Sequence, residues 1–328
     1  MKNFIKIFGV PEFIVPRLHH FISDQDVKLI NALGRQNLSI PEIAARLKLP
    51  KAKTKRLLEE SLIRKVVKKE EQNRELLYSA SDFYTKISFY DCRRDEYDLL
   101  DKSIRDPLGE WCYLEYKNRR TPTLKKLANG EPIDFPDYKS FLFPEDFDAF
   151  VAASKEIFLT RCNCRSLNYK CRKPLYTCLE FHQGSKSSYP FITRLSKAEA
   201  KELITDAYQE GLMQTVNADW RKVGPQWMCN CCACDCWPIR LHQDQGLKWT
   251  FYKDLHISEH NKALCTNCGV CVSRCNFGAF YHDGRQVLVQ GKKRRNVELD
   301  NKKCWGCGIC IGTCKAKAIS LRKVNPRE

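Results

Sequence analysis

The sequence predicts an α+β, multidomain protein, and three observations carry that reading. The first eighty residues pattern as helix, helix, helix, hairpin; a CxxCxxCxxxC spacing occurs twice near the C-terminal end; and nine further cysteines crowd between these regions. A length of 328 residues suits two or three domains at roughly 100 to 200 residues each. With 43% hydrophobic and 29% charged residues the composition is globular, which excludes a wholly disordered chain and a collagen-like one. No run of about 18 uncharged apolar residues is available to span a bilayer.

The start, MKNFIKIFGVPEFIVP, imitates the charged head of a signal peptide, but Pro11, Glu12 and Pro16 interrupt its apolar stretch and no small-residue cleavage site follows. A cytoplasmic location is expected. From residue 22, Asp24 is the expected cap of a helix carrying Val27, Ile30 and Leu33. Ser39 with Glu42 then forms a capping box, Pro41 standing in the first turn of a second helix that buries Ile43, Ala44 and Leu47. A third helix from about Lys51 to Leu62 turns Leu57, Leu58 and Leu62 inward, and IRKVVKK with RELLYSA suits a two-stranded wing. This is the order of a winged helix-turn-helix. Lys51, Lys53, Lys55 and Arg56 begin the helix that such domains can lay in a major groove. Residues 1–80 hold 16 basic and 9 acidic side chains, however, and Glu59, Glu60, Glu70 and Glu71 would repel phosphate, so protein docking is expected ahead of nucleic acid.

Residues 81–158 read as a helical linker with short helices around Asp95 to Ile104 and Pro144 to Glu156. A clearer helix at 197–210 has Ser196 and Glu199 as its capping box and Gly211 at its end. The domain reading is therefore 1–80, 81–158, a cysteine-rich and mainly helical region at 159–256, and a separate module at 257–328.

Cysteine says most about chemistry. Of 19 cysteines only Cys92 and Cys112 precede residue 160, and without a secretory leader so many thiols suit metal binding in a reducing compartment rather than a disulfide scaffold. Cys265, Cys268, Cys271 and Cys275 stand in CTNCGVCVSRC, and Cys304, Cys307, Cys310 and Cys314 repeat the spacing in CWGCGICIGTC. The first three cysteines of such a run wrap three corners of a cubane on a tight loop, and the fourth reaches across to the other cluster. Two zinc knuckles would need only paired CxxC units and leave half the thiols unexplained.

Over roughly residues 257 to 322, with NFGAF after the first run and AKAIS after the second, the sequence resembles the bacterial-type dicluster ferredoxins. That resemblance implies one [4Fe-4S] cluster on Cys265, Cys268, Cys271 and Cys314, and another on Cys304, Cys307, Cys310 and Cys275. The family usually has proline after the fourth cysteine, where this chain has Asn276 and Lys315. Lys315 is expected to favour the reduced state and raise the potential.

Upstream, RCNCRSLNYKCRKPLYTCLEF carries Cys162, Cys164, Cys171 and Cys178, and MCNCCACDCWP carries Cys229, Cys231, Cys232, Cys234 and Cys236. The combination resembles a family of ferredoxin-like proteins of anaerobes with an N-terminal winged helix; it implies further iron–sulfur chemistry and names no activity. Thiols gain nothing as core filler from such crowding, and thiolates this close repel unless a cation holds them. At least one further iron–sulfur cluster is expected here, with structural zinc as the alternative. Arg165, Arg172 and Lys173 either compensate cluster charge or form a solvated loop.

His19, His20, His256 and His260 receive no role and are read as surface residues. GxGxxG, P-loop and nucleophile-elbow motifs are absent, so no nucleotide or flavin site is legible and no catalytic residue is assigned. Residues 257–328 hold 14 basic and 5 acidic side chains, a formal +9 that two oxidised clusters of about −2 each lower to about +5. The excess concentrates in GKKRR, Gly291 to Arg295, an expected hairpin that would steer an acidic redox partner, with nucleic acid as the competing ligand and a merely solubilising turn as the plain alternative. The sequence thus reads as a carrier passing single electrons to or from a partner oxidoreductase. The alternatives are a redox-responsive DNA-binding regulator and an enzyme with a substrate-binding cluster.

Overall fold

The computed structural model describes residues 1–133, 138–182 and 192–325. The chain mixes helix and sheet and divides into two compact units. Among the described residues the first holds 1–116 and 166–169, and the second holds 117–165, 170–182 and 192–325.

In the first unit α1 (Lys2–Phe8) precedes a 3-10 stretch, Glu12–His20, and then α2 (Asp24–Leu33). The cap of α2 is Ser23, not Asp24: the Ser23 hydroxyl accepts the Asp26 N–H while the Asp26 carboxylate accepts the Ser23 N–H, a reciprocal pairing that Asp24 could not close. The expected Ser39–Glu42 box does start α3 (Ile40–Leu47), and α4 (Lys51–Ile63) follows Pro50. Strands β1 (Val67–Gln72) and β2 (Glu75–Ala80) pair antiparallel about Asn73–Arg74, whose φ values of 51° and 66° match the twist of a two-residue hairpin. Leu29, Ile30, Leu33, Ile43, Leu58 and Val66 form the core between these elements.

After α5 (Phe83–Phe89), Lys86 and Asp91 form a buried ion pair at 3.2 Å, and burial pushes the Asp91 carboxyl up to about 6 against the pull of Lys86. The helix expected around Asp95 to Ile104 is a 3-10 turn, Asp95–Leu99, followed by the 27-residue α6 (Lys102–Ala128). Pro107, Gly109 and Pro122 obscure α6 in the sequence, since each disfavours helix. Ile104, Leu108 and Cys112, four residues apart and buried on one stripe, override them.

The second unit corrects the expectation of a mainly helical centre. It is built on a six-stranded antiparallel sheet from β3 (Lys139–Phe141), β4 (Glu156–Arg161), β5 (Tyr176–His182), β6 (Thr193–Leu195), β7 (Met213–Asn217) and β8 (Trp227–Cys231), ordered β3-β7-β8-β5-β4-β6. Cysteine, threonine and asparagine occupy alternate strand positions there, which blurs the apolar alternation that marks a strand. Of the helix expected at 144–156 only the 3-10 turn Pro144–Asp146 and α7 (Phe147–Ala152) form; Glu156 opens β4. The short helix α8 (Asn163–Asn168) follows β4, and α9 (Lys197–Gln209), started by the expected Ser196–Glu199 box, packs with α7 on the sheet through Phe147, Phe150, Ala200 and Ile204.

Two short helices, α10 (Trp220–Val223) and α11 (Trp237–Asp244), flank β8. The remaining elements are β9 (His256–His260), α12 (Val270–Arg274), β10 (Phe280–Val289), β11 (Lys292–Leu299) and β12 (Ile319–Lys323). Strand β9 pairs with β12, so the two ends of this segment close on each other, and β10 pairs with β11 as a hairpin.

Candidate metal centres

The two CxxCxxCxxxC runs fold alike. Each begins with an N–H donated back to its first sulfur, from Asn267 to Cys265 at 3.4 Å and from Gly306 to Cys304 at 3.4 Å. Each ends with an N–H four residues beyond its last sulfur, from Ala279 to Cys275 at 3.2 Å and from Ala318 to Cys314 at 3.3 Å. N–H dipoles aimed at sulfur stabilise the anionic thiolate and any cluster on it. The second loop allows no side chain at Gly306: φ is +65° and a Cβ there would lie 1.9 Å from the His256 carbonyl oxygen. Its path is fixed further by Tyr208 of α9, whose hydroxyl donates to Gly308 O at 2.9 Å and accepts from Gly312 N at 3.0 Å.

A cavity of about 320 Å³ is lined by Cys265, Cys268, Cys271 and Cys314, so the last thiol of the second run joins the first three of the first. Reciprocally, burial raises the Cys307 thiol well above its ordinary range, with Cys310, Cys304 and Cys275 as charged neighbours. Ser258 adds an N–H to Cys304 at 3.3 Å and its hydroxyl lies 3.5 Å from Cys310. Two sets of four soft donors, each partly wrapped in apolar side chains, fit a pair of iron–sulfur cubanes. His260 is half-buried and lines the cavity, edge-on to Phe280 at 5.6 Å, so it is not a surface residue as expected. Lys315 is exposed at the cavity rim beside Cys314.

The nine upstream cysteines separate into two groups. Register explains part of the split. The β5–β8 ladder pairs Leu179 with Met228, so its next step sets Cys178 beside Cys229; Cys231 is two residues on and faces the same way, whereas Cys232 follows the end of β8 and meets Cys171 at 3.6 Å. Cys178 makes hydrogen-bond contact with Cys162 on one side and Cys229 on the other, Cys229 with Cys231, and Cys236 lies 3.4 Å from Cys231. Cys164 completes the group: it accepts the Trp237 N–H at the start of α11, and burial followed by the proximity of Cys162 raises its thiol well above the ordinary range. Six thiols thus converge from the β4–α8 junction, α8, β5, β8 and the residue that caps α11, two more than a cubane requires.

The other three, Cys171, Cys232 and Cys234, meet Asp235, and the four ligand atoms all lie within 4.8 Å of one another. Asp235 escaped the sequence reading, although a carboxylate between cysteines in CACDC was the available signal. Arg165 lies between the groups. It is buried, donates to Thr177 Oγ1 and Asn230 O, approaches Cys232 Sγ at 3.8 Å, and has Cys162 and Cys178 as charged neighbours. Arg172 is exposed and Lys173 bonds the Glu210 carbonyl, so of the three cations only Arg165 compensates thiolate charge on both sides.

The six-thiol group adjoins the second run directly. Met213, Cys231, Cys236 and Ile239 form one apolar cluster against which Cys229, Phe277 and Cys307 pack, and Phe277 stacks on Trp305 at 4.8 Å. At the other end of the module Cys268 is exposed, in a groove lined also by His282, Lys293, Arg294 and Arg295.

Residues 256–318 match the family model of the 4Fe-4S dicluster domain. No curated protein and no solved structure matches the chain. The chain therefore carries an iron–sulfur domain of dicluster type, which supports electron transfer as its general chemistry. Among the described residues no helix is long and apolar enough to cross a membrane.

Proposed function

We propose that the chain is a cytoplasmic electron carrier of an anaerobic metabolism, in which two ferredoxin-type [4Fe-4S] sites and a third iron–sulfur site on the six thiols serve a separate oxidoreductase. The first site takes Cys265, Cys268, Cys271 and Cys314, the second Cys304, Cys307, Cys310 and Cys275, and the third draws its ligands from Cys162, Cys164, Cys178, Cys229, Cys231 and Cys236. Bound clusters supply one-electron transfer between neighbouring centres. The single observation that carries the reading is that Cys307 packs in the same apolar cluster as Cys229, Cys231 and Cys236, which supports a second and a third site in contact through apolar side chains.

The chain's own residues do the rest. Backbone N–H groups at Asn267, Gly306, Ala279 and Ala318 point at ligand sulfurs, and Arg165 offsets the negative charge of the third site. Lys293, Arg294 and Arg295 beside exposed Cys268 supply a positive contact for an acidic redox partner, at the edge where a ligand sulfur reaches solvent. At 1–80 we read a winged helix used for protein docking. Two of its leading cations are engaged within α4, Lys55 with Glu59 at 4.0 Å and Arg56 with Glu60 at 3.0 Å, which weakens a phosphate-binding role.

A reductive titration tests the third site. The full chain should take up more than the about two electrons that a pair of [4Fe-4S] centres accepts, and Cys162→Ser with Cys164→Ser should return uptake to about two. Uptake of about two by the unaltered protein contradicts the reading.

A further inference from the structure

We infer that Cys171, Cys232, Cys234 and Asp235 form a mononuclear tetrahedral site for a divalent ion of the zinc class, separate from every iron–sulfur site. The distances and the donor set fit one ion. With Zn–S bonds of about 2.3 Å and a Zn–O bond of about 2.1 Å, a tetrahedron has S···S edges of about 3.8 Å and S···O edges of about 3.6 Å. Here Cys171 Sγ lies 3.6 Å from Cys232 Sγ, and Asp235 Oδ2 lies 3.2 Å from Cys171, 3.7 Å from Cys232 and 3.7 Å from Cys234. All four donors fall within 4.8 Å of one another. What sets this group apart from the six thiols is its carboxylate: four donors, three sulfurs and one oxygen, converge on one point, the number and kind that one ion takes.

The carboxylate is held for the purpose. Asp235 is fully buried, and its two oxygens accept the N–H groups of Lys170 at 3.0 Å and Cys171 at 3.4 Å. Those bonds fix the rotamer that turns Oδ2 toward the three sulfurs, the outer-shell support expected of a metal ligand. Three thiolates and a carboxylate bring a charge of −4 to a site that buried Arg165 adjoins at Cys232, and a divalent ion with Arg165 lowers the net charge to −1. With four protein ligands the site is closed and structural rather than catalytic. It joins the loop carrying Cys171 to the turn after β8. Cys231 and Cys232 are consecutive, so the ion would pin one wall of the six-thiol pocket from behind. The inference does not depend on what that pocket holds.

The test is an element-specific measurement on the full chain, purified without oxygen from zinc-supplemented culture and reconstituted with iron and sulfide. About one zinc per chain should survive dialysis against a weak chelator. X-ray absorption at the zinc edge should show three sulfurs at about 2.3 Å and one oxygen at about 2.1 Å. Asp235→Cys should retain the zinc and convert its shell to four sulfurs, which keeps the test informative if harsher variants fail to fold. Cys171→Ser with Cys234→Ser should lose the zinc while iron content stays unchanged. Absence of retained zinc, a native shell of four sulfurs or one containing histidine nitrogen, or loss of iron in place of zinc from the double variant would each overturn the inference. Because zinc and iron are read separately, failure here leaves the electron-carrier reading standing, and the reverse also holds.

Discussion

The two CxxCxxCxxxC runs and the upstream thiols solve one problem in opposite ways. In the runs, chain-local spacing does nearly everything: the same i+2 and i+4 N–H contacts recur at Cys265 and Cys304 and at Cys275 and Cys314. The upstream thiols lack any repeat: the pairing of β5 with β8 brings Cys178, Cys229 and Cys231 together, and the loops beside the strands supply the rest. A local motif tolerates changes around it. A site assembled across a sheet depends on every element that holds the sheet together.

That contrast can be broken by experiment, beginning where the effect is largest. Cys275→Ser should perturb the cluster on Cys304, Cys307 and Cys310 more than that on Cys265, Cys268 and Cys271, as read by spectroscopy of single-cluster variants; the opposite pattern would mean that each run serves only its own cluster. Gly306→Ala forces a Cβ toward the His256 carbonyl at positive φ and should cost about 3 kcal/mol, seen as loss of the same cluster while the upstream metal remains. Asn230→Ala tests the sheet-dependent half. Its buried amide donates to Thr177 O and accepts from Gln214 Nε2, so truncation should cost about 2 kcal/mol in chemical denaturation and loosen upstream metal before ferredoxin iron. Gly278→Ala, with φ +65° but open space around it, should cost only about 1 kcal/mol.

The same contrast explains what the sequence disclosed. The eight cysteines of the runs and the crossed pattern of their loops follow from spacing, which is a property of neighbours along the chain. Capping boxes at Ser39 and Ser196 were legible for the same reason, whereas at α2 the choice between Ser23 and Asp24 turned on which residue Asp26 could answer. The division of nine upstream thiols was not legible, because it depends on β5 lying beside β8, a pairing between residues about fifty apart. Asp235 went unread because an acid among cysteines looks like ordinary surface charge until its backbone donors at Lys170 and Cys171 are seen. Helix α6 was hidden by two prolines and a glycine that its buried stripe outweighs.

The central claim, that the chain holds more iron than its ferredoxin domain accounts for, is tested most directly by counting iron and sulfide in anaerobically reconstituted protein. Two [4Fe-4S] clusters account for about eight irons per chain, and a third centre on the six thiols raises this to about twelve or more. Cys162→Ser with Cys164→Ser should bring the count back to about eight while leaving the paired-cluster signal intact. A count of about eight in the unaltered protein, unchanged by those substitutions, would contradict the account and leave the six thiols without a cluster.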